Sequence, residues 1–148
     1  MTGNQGFWKA ILPMAAGGLL LIGLVLGFRP LAETGAVAYA QSNLRATADA
    51  AERVSETEGT LEIATALRLR NEAGLDDLLL IDPDVSSNDS EIVSVYATEE
   101  RWTAAARADT GACFWIRIEA SGTRSLGTGT DCSAEDASEA PSSGWGAG

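Results

Sequence analysis

The spacing of hydrophobic positions changes character three times along this chain. Ala10 to Phe28, AILPMAAGGLLLIGLVLGF, is a run of nineteen residues without a charge. A helix rises about 1.5 Å per residue, so the run covers roughly 28 Å, close to the ~30 Å hydrocarbon core of a bilayer. It predicts a transmembrane helix over 10–28, preceded by a cytoplasmic stub or leader at 1–9. Arg29-Pro30 breaks or kinks that helix. LAETGAVAYAQSNLRATADAAERVSETE then sets Val37, Ala40, Leu44, Ala48, Ala51 and Val54 at three-and-four spacing. The pattern is one face of an amphipathic helix, with Arg45, Asp49, Glu52 and Glu56 on the solvated side and Gly59 as the stop. TLEIATALRLRNEAG continues as a second helical pattern, with Leu61, Ala64 and Leu67 (or Ile63, Leu67 and Arg70) toward the interior. Leu78 to Ile81 is too short to separate a helical turn from a strand.

From Glu91 the period falls to two. EIVSVYAT, RWTAAARA and CFWIRIE read as three strands of an antiparallel meander, with turns at Glu99-Glu100 and Asp109-Thr110-Gly111. TRSLGTGT adds a fourth strand, weakened by Gly127 and Gly129. The end of the chain, 133–148, is small and polar and reads as a flexible tail, disordered or draped over the domain, that Trp145 can pin to the sheet. The expected fold class is α+β. A long N-terminal helix, membrane-spanning in its first half and amphipathic in its second, packs on a small antiparallel sheet of three to four strands with one disulfide.

Charge divides the chain in the same place. Lys9 and Arg29 flank the apolar run, so the positive-inside bias does not orient it. Everything after Pro30 carries eight arginines against twenty-one carboxylates. That balance argues against nucleic acid and anionic lipid head groups as partners of the polar part, since both require clustered cations. Cys113 and Cys132 are the two cysteines, and their spacing suits a disulfide on the oxidising side of a membrane, worth about 3 kcal/mol in the chain-entropy picture. Two unpaired thiols are the alternative.

Candidate chemistry is sparse. The chain has no histidine, which removes the commonest general base and metal ligand. Asp82-Pro83-Asp84, with Asp76, Asp77 and Asp89 near in sequence, is the one cluster suited to a hard cation, but Pro83 splits the pair and no calcium-type loop follows. A solvated acidic turn explains it better. Ser121-Gly122-Thr123 and Gly127-Thr128-Gly129-Thr130 look like phosphate loops only superficially, because no Lys-Ser/Thr follows. No serine has an evident base, so the expectation is a non-enzyme with no cofactor and no metal.

One family accounts for the order of these parts. Gln5-Gly6-Phe7 directly ahead of the apolar run resembles a prepilin peptidase junction. Pro30 sits where type IV pilins carry a proline, and Ala40-Gln41-Ser42-Asn43-Leu44-Arg45 resembles the stretch where a pilin helix leaves the membrane. WTAAARADTGACFWIRIEASG, then GTGTDC and a Ser/Ala-rich end with one Trp, is similar to the globular part of pilins from Gram-positive, high-GC bacteria. The resemblance implies leader cleavage between Gly6 and Phe7 and an extracellular pilin-like domain over 29–132. It implies a place in the cytoplasmic membrane or a pilus, with the lipid bilayer, other pilin-like subunits and the assembly machinery as partners in homo- or hetero-oligomers. Ile11 stands at the fifth mature position, where pilins usually hold a glutamate, which points to a minor pilin or pseudopilin. Gly23-x-x-x-Gly27 offers a small surface for helix packing in lipid. The competing expectation is an exported binding domain unrelated to pili, signal-anchored or released by cleavage after Ala40, since Ala38-Tyr39-Ala40 has the small-x-small form of a signal peptidase site.

Overall fold

The computed structural model describes residues 34–146. The stub at 1–9, the apolar run at 10–28, the junction Gly6-Phe7 and the pair Gly23 and Gly27 lie outside the described residues. The unit Gly35–Gly148 is described by itself.

Helix α1 occupies 34–58. Its buried residues, Ala40, Leu44, Ala48, Ala51 and Val54, are those the three-and-four spacing selects, joined by Thr47 and Ala50. Thr47 is tolerated there because its hydroxyl donates to the Asn43 carbonyl one turn back (2.8 Å). After Gly59, whose φ of 84° requires glycine, the expected second helix is broken. A 3-10 turn, Leu61–Ile63, is followed by the four-residue α2, Ala66–Leu69. Thr60 and Thr65 cause the break, since each adopts an extended backbone and caps the following turn with its own hydroxyl. Leu67 is 71% exposed, so the expected inward face is replaced by Leu61, Ala64, Ala66 and Leu69.

Five strands follow, β1 (Leu79–Ile81), β2 (Ile92–Ala97), β3 (Arg101–Arg107), β4 (Cys113–Glu119) and β5 (Arg124–Gly129), in spatial order β1-β2-β3-β4-β5. Strands β2 to β5 form the antiparallel meander, with Trp102 opposite Ile118 and Trp115 opposite Gly127. Strand β1 lies parallel to β2, Leu80 beside Val93. Residues 82–91 make the crossover that a parallel pair needs. They are tied down by Ser87 N–H to the Cys132 carbonyl (2.8 Å) and Glu135 N–H to the Pro83 carbonyl (3.0 Å).

Both faces of the sheet are covered. α1 packs on the face that carries Leu80, Val93, Val95, Trp102, Ala104, Ala106, Phe114, Ile116 and Ile118. A short helix α3, Ala134–Glu139, lies on the other face, where Ala105, Cys113, Trp115, Cys132 and Ala137 form a second apolar cluster. Ser133 caps α3, its hydroxyl accepting from the Asp136 N–H.

The expected fold class is therefore corrected. The sheet has five strands and is mixed, not an antiparallel sheet of three to four, and the serine- and alanine-rich end supplies a helix to the second face. Among the described residues no helix is long and apolar enough to cross a membrane; α1 is amphipathic over its described length. The disulfide is present.

Candidate functional site

Of the residues singled out in the sequence, Cys113 and Cys132 are brought together. Their Cα atoms lie 5.5 Å apart in a disulfide that ties the start of β4 to the residue ahead of Ser133 and α3. Both are buried. The bond holds α3 against the sheet from one end. From the other end Arg101 and Arg117, projecting from neighbouring strands, both donate to the Ser138 carbonyl (2.9 Å each), and Arg117 also donates to the Ala140 carbonyl (3.1 Å). Two cations thus sit at the negative end of a six-residue helix. The Arg117 guanidinium lies 5.2 Å over the Trp115 ring.

The acidic segment does not converge. Asp89 accepts from the Glu91 N–H (2.9 Å) in a local turn, and Asp76, Asp77, Asp82 and Asp84 point to solvent or lie on separate turns. Among the described residues no group of three potential metal ligands comes together. Ser121-Gly122-Thr123 is the β4–β5 hairpin turn, its two hydroxyls 3.0 Å apart, and Gly127 to Thr130 is the end of β5 and the turn beyond it. Trp102 and Trp115 are core residues. The Trp102 indole donates to the Ala64 carbonyl (2.9 Å) and pins the segment after α1 onto the sheet.

Ala40 is fully buried within α1, and Tyr39 beside it hydrogen-bonds Glu91 (3.3 Å). A chain beginning at Gln41 lacks both contacts. The Glu91 carboxylate, through its charge and then this hydrogen bond, holds the Tyr39 phenol above its usual pKa. Arg124 on β5 reaches across to α1, with Asp49 at 2.7 Å and Glu52 at 2.5 Å. These bonds raise the guanidinium pKa further above its already high value.

The surface that remains is anionic. All eight arginines of residues 34–146 are engaged within the domain: Arg53, Arg70, Arg101, Arg107 and Arg117 on backbone carbonyls, Arg68 and Arg124 on carboxylates, Arg45 on an aromatic ring. The carboxylates largely face out. A second uncovered feature is the start of α1, where Gly35, Ala38 and Ser42 are exposed while Ala40 and Leu44 face the sheet.

Sequence reasoning expected Trp145 to reach the sheet, as it does, and missed the bonds of the residues before it. Leu126 C=O, on the outer edge of β5, accepts from Ser142 Oγ (2.9 Å), Ser143 N–H (3.2 Å) and Gly144 N–H (2.9 Å). Trp145 donates its indole N–H to the Trp115 carbonyl (2.8 Å) and meets Phe114 edge to face at 6.3 Å. Pro141, which stops α3, and a lone tryptophan among small residues are the signals that mark a short bound segment. No family model matches this chain, and no curated protein or solved structure is detectably similar to it.

Proposed function

We propose that this chain is a membrane-anchored, type IV pilin-like structural subunit, a minor pilin or pseudopilin contributing to a pilus or secretion filament of a high-GC Gram-positive bacterium. The observation that carries the reading is the division of α1. The sheet takes Ala40, Leu44, Ala48, Ala51 and Val54 and leaves Gly35, Ala38 and Ser42 outward, with Tyr39 exposed beside them and its hydroxyl bonded to Glu91. Small outward side chains let a second helix approach closely, since the distance between packed helices is set by the side chains at the contact. In the sequence this stretch follows the uncharged run 10–28, with Gly23-x-x-x-Gly27 inside it and Gln5-Gly6-Phe7 ahead of it. The buried disulfide is in keeping with a domain held on the oxidising side of a membrane.

In this reading the apolar run rests in the cytoplasmic membrane until assembly proteins draw the chain into a filament with other pilin-like subunits. The disulfide-closed domain outside supplies the lateral contacts. Ile11, in place of the usual glutamate, favours partners that are other pilin-like chains. Mass spectrometry of the mature N-terminus tests the proposal. A membrane-associated chain beginning at methylated Phe7 is expected, and a chain retaining Met1 refutes it.

A further inference from the structure

The segment after α3 crosses from one face of the sheet to the other. α3 packs on the side of Trp115 and the disulfide, whereas the Trp145 ring belongs to the α1 side, against Phe114 and beneath Arg45, whose guanidinium is 4.7 Å from the ring centre. Between them, Pro141 to Gly144 wrap the outer edge of β5. An edge strand presents unpaired N–H and C=O groups that invite another strand. Here Leu126 C=O is taken by three donors, Thr128 N–H by Ser143 Oγ (3.1 Å), and Thr128 C=O by the Trp115 indole (3.3 Å). Pro141 to Gly144 are exposed, and Trp145 is the half-buried anchor.

We propose that residues 141–145 are a displaceable strap, and that the slot they fill, between β5 and Arg45 of α1, is a docking site for the strap of a second copy of this chain. Three observations select that occupant. The slot already shows what fits it, a serine-glycine bend followed by an indole, and every copy carries one. The side chains of residues 140–148 carry no charge, so those of the strap, 141–145, meet an acidic neighbour without repulsion. Arg45 makes no hydrogen bond or ion pair among the described residues, and its observed partner is the Trp145 ring, so the slot is the part of an anionic surface that rewards an aromatic face. The disulfide and Arg101 and Arg117 keep α3 on its own copy. Five residues of extended chain span roughly 17 Å, so an exchanging partner must bring its own β5 edge within that distance.

Two full-length chains in detergent micelles, one Thr128→Cys and one Ser143→Cys, test the proposal when mixed and oxidised. The mixed covalent dimer is expected several-fold above its statistical share, and Trp145→Ala in the Ser143→Cys chain removes the excess. A statistical yield, or an excess that survives Trp145→Ala, overturns the proposal. A peptide of residues 140–148 gives a readout that needs no association of whole chains. In the wild type the chain's own strap competes at millimolar effective concentration, so the labelled peptide is expected to bind the Trp145→Ala chain at least about ten-fold more tightly than the wild type. Circular dichroism verifies that the variant is folded. Failure of the peptide to bind the folded variant overturns the slot.

Discussion

Gly127 and Trp115 are directly opposed on β5 and β4, and a methyl group at Gly127 cannot coexist with the indole where it now lies. A Cβ built on Gly127 overlaps Trp115 Cζ2 and Cε2 far inside van der Waals contact, and Trp115 is 1% exposed in the second apolar cluster. Gly127→Ala therefore forces the indole out of its slot instead of merely tightening it. Overpacking of this kind costs about 1–3 kcal/mol. Moving the ring also breaks its hydrogen bond to the Thr128 carbonyl (3.3 Å), worth about 1 kcal/mol. The expected loss is about 2–4 kcal/mol, which for a domain of this size lowers the melting temperature by roughly 8–15 °C. Thermal unfolding followed by circular dichroism measures it, with the disulfide intact. The clash argument makes a sharper demand in the Trp115→Leu background, where the smaller side chain leaves room for the methyl. There Gly127→Ala should cost less than about 1 kcal/mol, and the coupling in the double-mutant cycle should exceed about 1 kcal/mol. An equal cost in both backgrounds would refute the reasoning and place the damage in the β5 backbone.

Three further outcomes follow from the same contacts. Replacing both cysteines by serine should cost about 3 kcal/mol, with hydrogen exchange accelerating first at α3, since Cys132 is its anchor on β4. Trp102→Phe should cost about 1–3 kcal/mol, because the indole N–H to the Ala64 carbonyl is a buried bond whose loss leaves the carbonyl unpaired; a chemical-denaturation midpoint shift reads it. Tyr39 titrates above its usual value because Glu91 opposes its ionisation. A raised folded-state pKa means that its contribution to stability is complete below the unfolded phenol's pKa and is lost as pH rises through the folded value. In a Tyr96→Phe chain, ultraviolet tyrosinate titration should show the remaining phenol shifting down on Glu91→Gln, and an unchanged titration would deny the contact.

What the sequence disclosed followed from how much periodic pattern each element carries. α1 spans enough turns for Ala40, Leu44, Ala48, Ala51 and Val54 to repeat unmistakably, and β2, β3 and β4 alternate over six or seven residues each. β1 is three residues long, less than two periods, so Leu79–Ile81 cannot distinguish strand from turn. Its parallel pairing depends on a loop whose tethers, Ser87 to Cys132 and Glu135 to Pro83, are distant in sequence. The second helical pattern was undone locally, because Thr65 competes for the Arg68 N–H with its own hydroxyl (3.3 Å). α3 was hidden by composition: AEDASE buries alanine and serine, not large apolar residues, and its attachment comes from Arg101, Arg117 and the disulfide. Among the candidate sites, the cysteine pair was legible from spacing, and of the strap only its Trp145 anchor was. The serine and glycine bonds run to the backbone of β5, and no side-chain pattern records them.

Electrostatics supplies the last constraint on how copies meet. Residues 34–146 hold twenty carboxylates and eight arginines, and those arginines have partners inside the domain, so two copies repel wherever their general surfaces approach. The strap itself has no charged side chain and meets Arg45 through its indole, so its attraction is short-ranged. The repulsion is not: the screening length is ~30 Å at 0.01 M salt, ~10 Å at 0.1 M and ~3 Å at 1 M. An exchanging strap spans roughly 17 Å, so repulsion reaches across the gap at the lowest salt and is screened within it at the highest. The mixed Thr128→Cys and Ser143→Cys dimer should therefore increase with ionic strength between those limits, while the intramolecular strap, held within one chain, stays unchanged by hydrogen exchange at the amides it protects, Thr128, Ser143 and Gly144. A yield that falls as salt rises would mean that charge attraction drives the pairing, with Arg45 seeking a neighbour's carboxylates instead of its indole.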